Sequence, residues 1–282
     1  MQVLNVEEKY NNKKVCDFIL NKFPYLSQNT LYKALRKKDV RVNNVRISEN
    51  ISIHTGDEIK VFIVDNLLFN SNINLDIIYE DDNILVINKP SGIEVVGENS
   101  LSSLCEKYIN GFVKPCHRLD RNTTGLILFA KNEEALNILL DKFKNREIEK
   151  FYKATVYGIL SKKEAKLEAY LFKDNKKSLV YISDIPKKGY QKIITSYKVI
   201  SEDKNNNTST LDIKLETGRT HQIRAHLAHI GFPIIGDGKY GINEVNKKFN
   251  KKTQMLCSYK IVFDFKSDSG CLNYLSNKTI EL

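Results

Sequence analysis

Two well-separated segments contain most of the residues that could carry out acid–base or nucleophilic chemistry. The first segment, CHRLDRNTTGLILFA, covers residues 116–130 and places Asp120 between Arg118 and Arg121. A Thr-Gly pair and an apolar run follow, so the acid is predicted to lie in a turn at the entrance of a strand. Neighbouring positive charge favours the ionised carboxylate, which can serve as a nucleophile, a base or a structural anion. Taken alone, an acid between two arginines is more often a surface ion pair.

The second segment, LETGRTHQIRAHLAHIG, covers residues 215–231 and is predicted to turn sharply at a glycine into a helix. Arg219 lies at the start of this helix and Arg224 about one turn further in. A guanidinium at that place can present a planar fork to a carboxylate from elsewhere in the chain. We predict that Arg224 pairs with Asp120 and that Ile223 forms an apolar floor beside them.

A tyrosine in a third segment adds an aromatic surface. Tyr152 lies in EKFYKATVYG, at the start of a predicted strand and between Lys150 and Lys153. On its own, this residue fits a core aromatic with a hydrated hydroxyl equally well. Its position within a catalytic site is therefore predicted only in combination with the other two segments.

The elements that must position these segments follow from residue 76 onward. The predicted strands are IIYE, ILVINK, LILFA (126–130), FYKATVYG (151–158), YQKIITSYKV (190–199), LDIKLE (211–216) and YKIVFDF (259–265). Helices are predicted at 133–144, capped by Asn132, and at 220–230. Because strands outnumber helices and many connections are short, residues 76–282 are predicted to form an α+β domain with a mixed, mostly antiparallel sheet.

The first 64 residues are predicted to form a small separate domain, followed by an Asn-rich linker at 65–75. One amphipathic helix is predicted to end at Pro24, and Ser27 is predicted to cap a second helix with a basic surface. The pair Asn43-Asn44 suits a two-residue hairpin turn because asparagine tolerates positive φ. The basic surface is either an ordinary solvated face or a face that binds RNA.

Composition and charge favour a protein that binds a polyanion and argue against a membrane-spanning, secreted or disulfide-stabilised protein. The 282 residues contain 44 Lys+Arg and 34 Asp+Glu, a net charge of +10, which favours a polyanionic partner. No run of apolar residues is long enough for a membrane span and no signal peptide is recognisable, so a cytoplasmic protein is expected. The five cysteines are scattered and form no CxxC pair, which argues against a disulfide framework or a zinc ribbon.

Two further patterns imitate ligand sites. Residues 236–241, GDGKYG, satisfy GxGxxG, but the segment after them is too polar to cover a parallel sheet, so they are interpreted as a tight turn. His221 and His226 are five positions apart and lie about 140° apart around a helix, so they do not converge on a zinc ion.

Together, HRLDRNTTG, the Lys150-x-Tyr152-x-Ala154 element and TGRTHQIRAH, with KPSG upstream and PIIGDGKYG downstream, resemble the RluA-type pseudouridine synthases over residues 13–265. Asn122, Thr124 and Ala225 depart from the residues frequent in that family. Large-ribosomal-RNA members carry an N-terminal alpha-L RNA-binding module, which residues 13–64 resemble in LYKALRKKDVRVNN and TGDEI. By that resemblance the residues that contact the sugar-phosphate backbone are Lys33, Arg36, Lys37, Arg41 and Asn43.

The resemblance implies that the chain isomerises uridine in RNA by moving the ribose C1′ bond from N1 to C5 of uracil. Asp120 matches the essential nucleophile, which attacks either the sugar or the base. Arg224 matches the arginine that keeps this aspartate ionised. Tyr152 matches the tyrosine that stacks against the uracil and assists at C5.

The resemblance also implies several substrate contacts. Arg118 matches the side chain that fills the gap left by a flipped uridine, and Ile223 lines the base pocket. Arg219 is expected to bind RNA, and His117 to shape the turn or touch phosphate.

Reactant and product are isomers, so no cofactor or metal is expected. The partner implied is RNA, with 23S ribosomal RNA or a precursor first, and the chain is expected to be a monomer with no obligate protein partner and no membrane association. Two other classes remain open on the residues alone. One is a non-catalytic RNA-binding or ribosome-associated protein, and the other is a nucleic-acid N-glycosylase.

Overall fold

The chain divides into two compact units, Met1–Asn74 and Leu75–Leu282. The computed structural model describes residues 1–23, 26–63, 75–97 and 100–282. The predicted linker at 65–75 lies outside the described residues except for Leu75, and so does Pro24.

The first unit packs two helices against a small antiparallel sheet. In its described part the sheet has the order β1-β4-β2-β3. The helices are α1 (Val15–Lys22) and α2 (Gln28–Arg36), and the strands are β1 (Gln2–Asn5), β2 (Val40–Val42), β3 (Val45–Ile47) and β4 (Glu58–Val61). The Ser27 hydroxyl accepts from the Thr30 N–H at 3.2 Å, which confirms the predicted cap. Asn43 and Asn44 have φ of 48° and 67° between β2 and β3, which confirms the predicted hairpin turn.

The second unit is built on one large sheet. Among its described residues the main order is β11-β10-β12-β13-β9-β14-β8-β6-β5, with β15 beside β14 and β7 beside β8. All pairs are antiparallel except β14 with β8, which confirms the predicted α+β class and sheet type. The strands are β5 (Ile77–Glu80), β6 (Ile84–Lys89), β7 (Lys114–Pro115), β8 (Thr124–Ala130), β9 (Ile148–Tyr157), β10 (Glu164–Asp174), β11 (Leu179–Ser183), β12 (Gln191–Asp203), β13 (Thr208–Leu215), β14 (Leu256–Phe263) and β15 (Thr279–Glu281).

The helices of this unit are α3 (Leu101–Ile109), α4 (Glu133–Lys144), α5 (Gln222–His229) and α6 (Asn243–Lys248). The predicted bounds of α4 are confirmed, with the Asn132 side chain accepting from the Ala135 N–H at 2.8 Å. By contrast, α5 begins two residues later than predicted. His221 has a left-handed φ of 53°, so the helical conformation starts only after it.

Apolar side chains cover both faces of the central strands, as the continuous apolar run in β8 requires. On one face, Leu119, Tyr152, Ile213 and Ile223 belong to a core cluster that joins β9 and β13 to helix α5. This cluster holds α5 and the turn before β8 close to the same part of the sheet.

Gly125 allows the parallel pair to form. Its φ is +105°, and a Cβ at this position would lie 2.1 Å from the Ser258 carbonyl oxygen of β14. Only glycine combines this φ with so close an approach of two backbones. The residue thereby fixes the entrance of β8, where the turn of Asp120 lies, against β14.

Candidate active site

Asp120 and Arg224 meet as predicted. The Arg224 Nη1 donates to Asp120 Oδ2 at 2.7 Å, across 104 positions of sequence. Asp120 lies in the turn before β8, closed by a 3.0 Å hydrogen bond from the Thr123 N–H to the Asp120 carbonyl. The side chain of Arg224 is 7% exposed and that of Asp120 is 24% exposed. The guanidinium is therefore enclosed, whereas the carboxylate retains an open side for a substrate.

A second carboxylate, that of Asp237, fixes the guanidinium from the other side. Arg224 Nε donates to Asp237 Oδ2 at 2.7 Å and Nη2 donates to Oδ1 at 2.9 Å. The Asp237 side chain is fully buried. Two parallel hydrogen bonds define the plane of the guanidinium, and Nη1 is left to meet Asp120. Asp237 was not predicted as a site residue, because the pattern GDGKYG indicated only a tight turn.

The turn 236–241 keeps Asp237 charged. Burial alone would raise the pKa of its carboxyl group, but Arg224 and the N–H groups of Lys239 and Tyr240, at 2.8 and 3.1 Å, hold the pKa below its usual range. Burial likewise opposes the charge on Arg224, and the hydrogen bonds that it donates to Asp237 and Asp120 raise its pKa. Arg224 and Asp237 are therefore both ionised at neutral pH.

The Tyr240 ring packs near the Arg224 guanidinium and is hydrogen-bonded to His221. The guanidinium carbon lies 5.3 Å from the centre of the Tyr240 ring. The Tyr240 hydroxyl accepts from the Val180 N–H at 2.9 Å and is 2.8 Å from His221 Nδ1. Burial lowers the pKa of His221, which makes the neutral imidazole the prevailing form. This contact ties the start of α5 to the turn that carries Asp237.

Lys89 stabilises the turn that contains Asp120 by hydrogen bonds to nearby carbonyl groups. Its ammonium group is fully buried and donates to the carbonyls of Pro90, Ile93 and Arg121 at 2.8, 3.0 and 2.9 Å. Arg121 Nε also donates to the Gly92 carbonyl at 2.9 Å. These bonds join the KPSG segment to the residues that follow Asp120. A buried lysine of this kind gives no distinct sequence signal, and its role was not predicted.

Tyr152 is an almost fully buried aromatic residue that interacts electrostatically with Asp120. It lies in β9, is 3% exposed and packs in the same core cluster as Ile223. Burial raises the pKa of its hydroxyl well above the ordinary value, and the negative charge of Asp120 adds to the increase. At neutral pH the ring therefore carries a protonated hydroxyl and presents an uncharged surface within the electrostatic reach of Asp120.

His117 is hydrogen-bonded to the backbone of strand β8. Its Nε2 accepts from the Leu128 N–H of β8 at 3.1 Å. Burial, together with the charge of Lys150, lowers the pKa of the imidazole well below its usual range. His117 is partly buried and its ring is neutral, and the two roles predicted for it, shaping the turn or touching phosphate, both remain predictions.

Arg118 and Arg219 are exposed beside the two segments of the site. Within the described ranges neither side chain has a carboxylate partner, in contrast to Arg224. Their charges are thus available to a ligand.

The predicted RNA contacts of the first unit differ in their surroundings. Lys33, Arg36 and Lys37 are exposed at the end of α2. Arg41 is partly buried, with its guanidinium 4.6 Å from the centre of the Phe62 ring. The Asn43 side chain stabilises its own turn, because it accepts from the Glu58 N–H at 2.9 Å and donates to Asp57 at 2.8 Å.

The family and the relatives that match this chain in sequence are all named as pseudouridine synthases. Residues 83–229 match the family described as RNA pseudouridylate synthase. The chain is 32% identical over 265 residues to the ribosomal large subunit pseudouridine synthase C of Buchnera aphidicola subsp. Acyrthosiphon pisum, covering 87% of this chain and 82% of the relative. It is 35% identical to the protein of the same name in Rickettsia bellii, covering 78% of this chain and 79% of that one.

A solved structure with a similar fold is the human RNA pseudouridylate synthase domain containing 1. The TM-score is 0.60 at 24% identity, over 69% of this chain and 80% of that chain. A membrane-crossing helix would need more length and a more apolar sequence than any helix in the described part of the chain has.

Proposed function

The chain belongs to the RNA pseudouridylate synthase family and is an isomerase of uridine in RNA, and we propose that Asp120 is its nucleophile and 23S ribosomal RNA or a precursor its substrate. The observation that carries the proposal is the ion pair between Asp120 and Arg224, whose guanidinium is held in place by Asp237. The partly exposed carboxylate of Asp120 faces a fixed positive charge in this arrangement and is open to a substrate on one side.

The chemistry needs one nucleophile and no external reagent. The Asp120 carboxylate attacks either C1′ of the ribose or the uracil ring. The C1′–N1 bond breaks, the base turns, and a bond forms between C1′ and C5. The C5 hydrogen leaves as a proton, N1 gains a proton, and the carboxylate is released unchanged. Splitting a difficult displacement into steps through a covalent intermediate is the usual benefit of such a nucleophile.

Tyr152 and Ile223 are proposed to receive the uracil. Tyr152 supplies an aromatic face for stacking, with its protonated hydroxyl placed to assist at C5. The base must leave the RNA stack to reach this ring, which costs on the order of a few kcal/mol. Arg118, exposed on the segment before Asp120, is proposed to occupy the vacated space in the RNA. Arg219 is proposed to contact the backbone.

The basic residues of the first unit are proposed to hold the RNA. The net charge of +10 and the exposed Lys33, Arg36 and Lys37 suit a polyanion, and residues 1–64 are proposed to act as the alpha-L module. Relatives named as large ribosomal subunit enzymes support 23S ribosomal RNA as the first substrate to test. We place the protein in the cytoplasm, where this RNA is made. We propose that it is a monomer without an obligate protein partner.

Release of tritium from RNA tests the chemistry. RNA labelled with tritium at uracil C5, prepared from cells that lack this gene, contains every uridine that the enzyme would convert. We expect the wild-type protein to release tritium to water, and Asp120→Asn to bind this RNA about as tightly while releasing none. Binding with no release by the wild type would favour the RNA-binding protein. Free uracil as the product would favour the N-glycosylase.

Mapping tests the substrate. Pseudouridines in ribosomal RNA are compared between cells with and without the gene, and between cells rescued by the wild type or by Asp120→Asn. Loss of specific sites, restored only by the wild type, is the expected result. Intact ribosomal RNA sites together with lost transfer RNA sites would redirect the substrate assignment and leave the chemistry in place.

A further inference from the structure

Lys150 differs from the other buried lysines of the second unit. Lys89 donates to three carbonyl groups, and Lys142 donates to Glu147 and to the carbonyl and hydroxyl oxygens of Ser267. Lys150 is partly buried, and within the described residues its ammonium group has no hydrogen-bond acceptor and no carboxylate partner. Its Nζ lies 5.0 Å from the centre of the Phe143 ring, and its charge lowers the pKa of the nearby His117 imidazole.

This ammonium group lies at a cleft of about 370 Å³. The carboxylates that line the cleft are already engaged elsewhere, Glu149 by Lys214 and Glu216 by Lys166 and Ser196. The cleft therefore contains a positive charge that its own acids do not neutralise. Withdrawing a charge from water without a partner is costly, so an anion bound beside this group would relieve that cost.

The cleft adjoins the proposed catalytic site. Lys150 and Tyr152 are two residues apart in β9, so their side chains point to the same face of the sheet, about 7 Å apart along the strand. A Cβ at Gly218 would lie 3.6 Å from the Lys150 Nζ, which places the ammonium group directly beside the segment that leads into α5. Arg146, which unlike Lys150 is exposed, lines the same cleft.

We propose that Lys150 binds a backbone phosphate of the RNA next to the nucleotide that enters the site. This inference rests on the proposed function and adds a binding group to it. A nucleotide whose base lies on Tyr152 carries its phosphates to either side of the ribose, within reach of the next side chain on the same face. The open cleft at Gly218 and the charge of Arg146 suit a phosphate better than a neutral ligand.

The protonation of Lys150 gives the proposal a separate signature. Burial lowers the pKa of its ammonium group to about 8. A bound phosphate favours the charged form and raises this pKa, so the contribution to binding is complete below pH 8 and decreases as the pH rises above it. Other titratable or charged groups around the cleft are His117, Arg146, Glu149 with Lys214, and Glu216 with Lys166.

Three variants test the phosphate contact in the tritium-release assay with RNA from the deletion strain. Lys150→Met removes the charge at similar length, Lys150→Arg keeps it, and Lys153→Met is the matched control. Lys153 is in the same strand, but it is exposed on the opposite face, 4.3 Å from the centre of the Tyr259 ring. We expect Lys150→Met to raise KM about 10- to 100-fold, the value of a charge-assisted hydrogen bond, with kcat within about 2-fold.

Salt and pH provide the readouts that a merely structural role would not change. Loss of one phosphate contact should reduce the slope of log affinity against log salt by about 0.7. The wild-type KM should rise above pH 8, whereas Lys150→Arg should bind well and lack this rise. The thermal midpoint of Lys150→Met should not fall, because no hydrogen bond is lost. Should Lys150→Met nevertheless unfold, the comparison of Lys150→Arg with the wild type across pH decides the question.

Each other outcome overturns the inference. An unchanged KM and salt slope in Lys150→Met would show that no phosphate is bound there. A fall in kcat at constant KM would assign Lys150 to the chemistry or to the position of Tyr152. A wild-type protein that releases no tritium would instead refute the proposed function, so the two failures can be told apart.

Discussion

Arg224 and Asp237 form a buried two-point ion pair, in which Nε and Nη2 donate to the two carboxylate oxygens at 2.7 and 2.9 Å. The pair fixes the plane of the guanidinium before any substrate arrives. Asp120 then accepts from the remaining nitrogen at 2.7 Å. The orientation of the proposed nucleophile thus depends on a residue that need not touch the RNA.

Replacing Asp237 by asparagine tests this dependence. Breaking one partner of a buried ion pair leaves an uncompensated charge, so we expect Asp237→Asn to lower the free energy of unfolding by about 3–5 kcal/mol and to reduce kcat at least tenfold. Urea denaturation and single-turnover tritium release measure the two effects. The control is Asp184→Asn, which breaks a surface pair with His229 at an 80% exposed carboxylate and should change stability by less than about 1 kcal/mol. Equal effects in the two variants would refute the role of Asp237.

Lys89 offers a test of the turn that carries Asp120. Lys89→Met removes a donor from three carbonyl groups, of which, in the described part of the chain, only that of Arg121 keeps another hydrogen bond, from the Gly92 N–H, and we expect the free energy of unfolding to fall by about 2–4 kcal/mol. Because the turn that positions Asp120 loses these hydrogen bonds, kcat should decrease by a larger factor than RNA affinity. Lys114→Met, which removes an exposed ion pair with Glu106, is the control and should leave both unchanged. Full activity in a stably folded Lys89→Met would show that the turn needs no such support.

Gly125 tests the close approach of β8 and β14. In Gly125→Ala the new Cβ would meet the Ser258 carbonyl oxygen at 2.1 Å, so the strands must separate. We expect a loss of at least about 3 kcal/mol, measured by urea denaturation. Gly231→Ala is matched in φ, at +88°, but has no atom within 4 Å of the new Cβ, and should cost only about 1 kcal/mol of backbone strain. A similar loss in both variants would attribute the effect to φ alone.

His226 predicts a pH dependence of stability. Its ring is 1% exposed, its Nδ1 is 3.1 Å from the Thr195 hydroxyl, and burial lowers the pKa of the imidazole to about 4. Between pH 6.5 and 4 the unfolded chain therefore binds a proton that the folded chain does not. The free energy of unfolding should fall across this range by up to about 3 kcal/mol as the pH is lowered.

Chemical denaturation across pH measures this slope. In His226→Gln the decrease between pH 6.5 and 4 should be smaller by the same amount. His229→Gln removes a histidine from the same helix without opening the core. An equal flattening in both variants would contradict the assignment to His226.

The parts of the site that could be predicted from the sequence are those that depend on patterns between residues close together in the chain. The turn of Asp120, the strand of Tyr152 and the helix of Arg224 all follow from turn residues, alternation and helical periodicity. Helix α4 was predicted with its bounds because Asn132 caps it and its apolar residues repeat at helical spacing. The N-terminal hairpin turn followed from two adjacent asparagines.

The parts that were not predicted depend on contacts between distant segments. Asp237 is recognisable only when the turn 236–241 lies against α5, and Lys89 only when its segment meets the residues after Asp120. Strands β10 and β11 were not predicted, although Ala165, Leu167, Ala169 and Leu171 alternate with polar residues in β10. The late start of α5 reflects the left-handed His221, whose contact with Tyr240 no local pattern indicates.

The parallel pairing of β8 with β14 has a consequence for synthesis of the protein on the ribosome. Strand β14 spans Leu256–Phe263, follows Arg224 and Asp237 in the sequence, and lies between β8 and β9 in the sheet. A growing chain that has passed Arg224 and Asp237 already contains every proposed catalytic group, yet it lacks the strand that joins the two halves of their scaffold. Pairing of such distant segments is slow, and it must await translation of β14, which begins 19 positions after Asp237 (256 − 237). Activity is therefore expected to arise only after β14 has left the ribosome, and not as soon as Asp237 has.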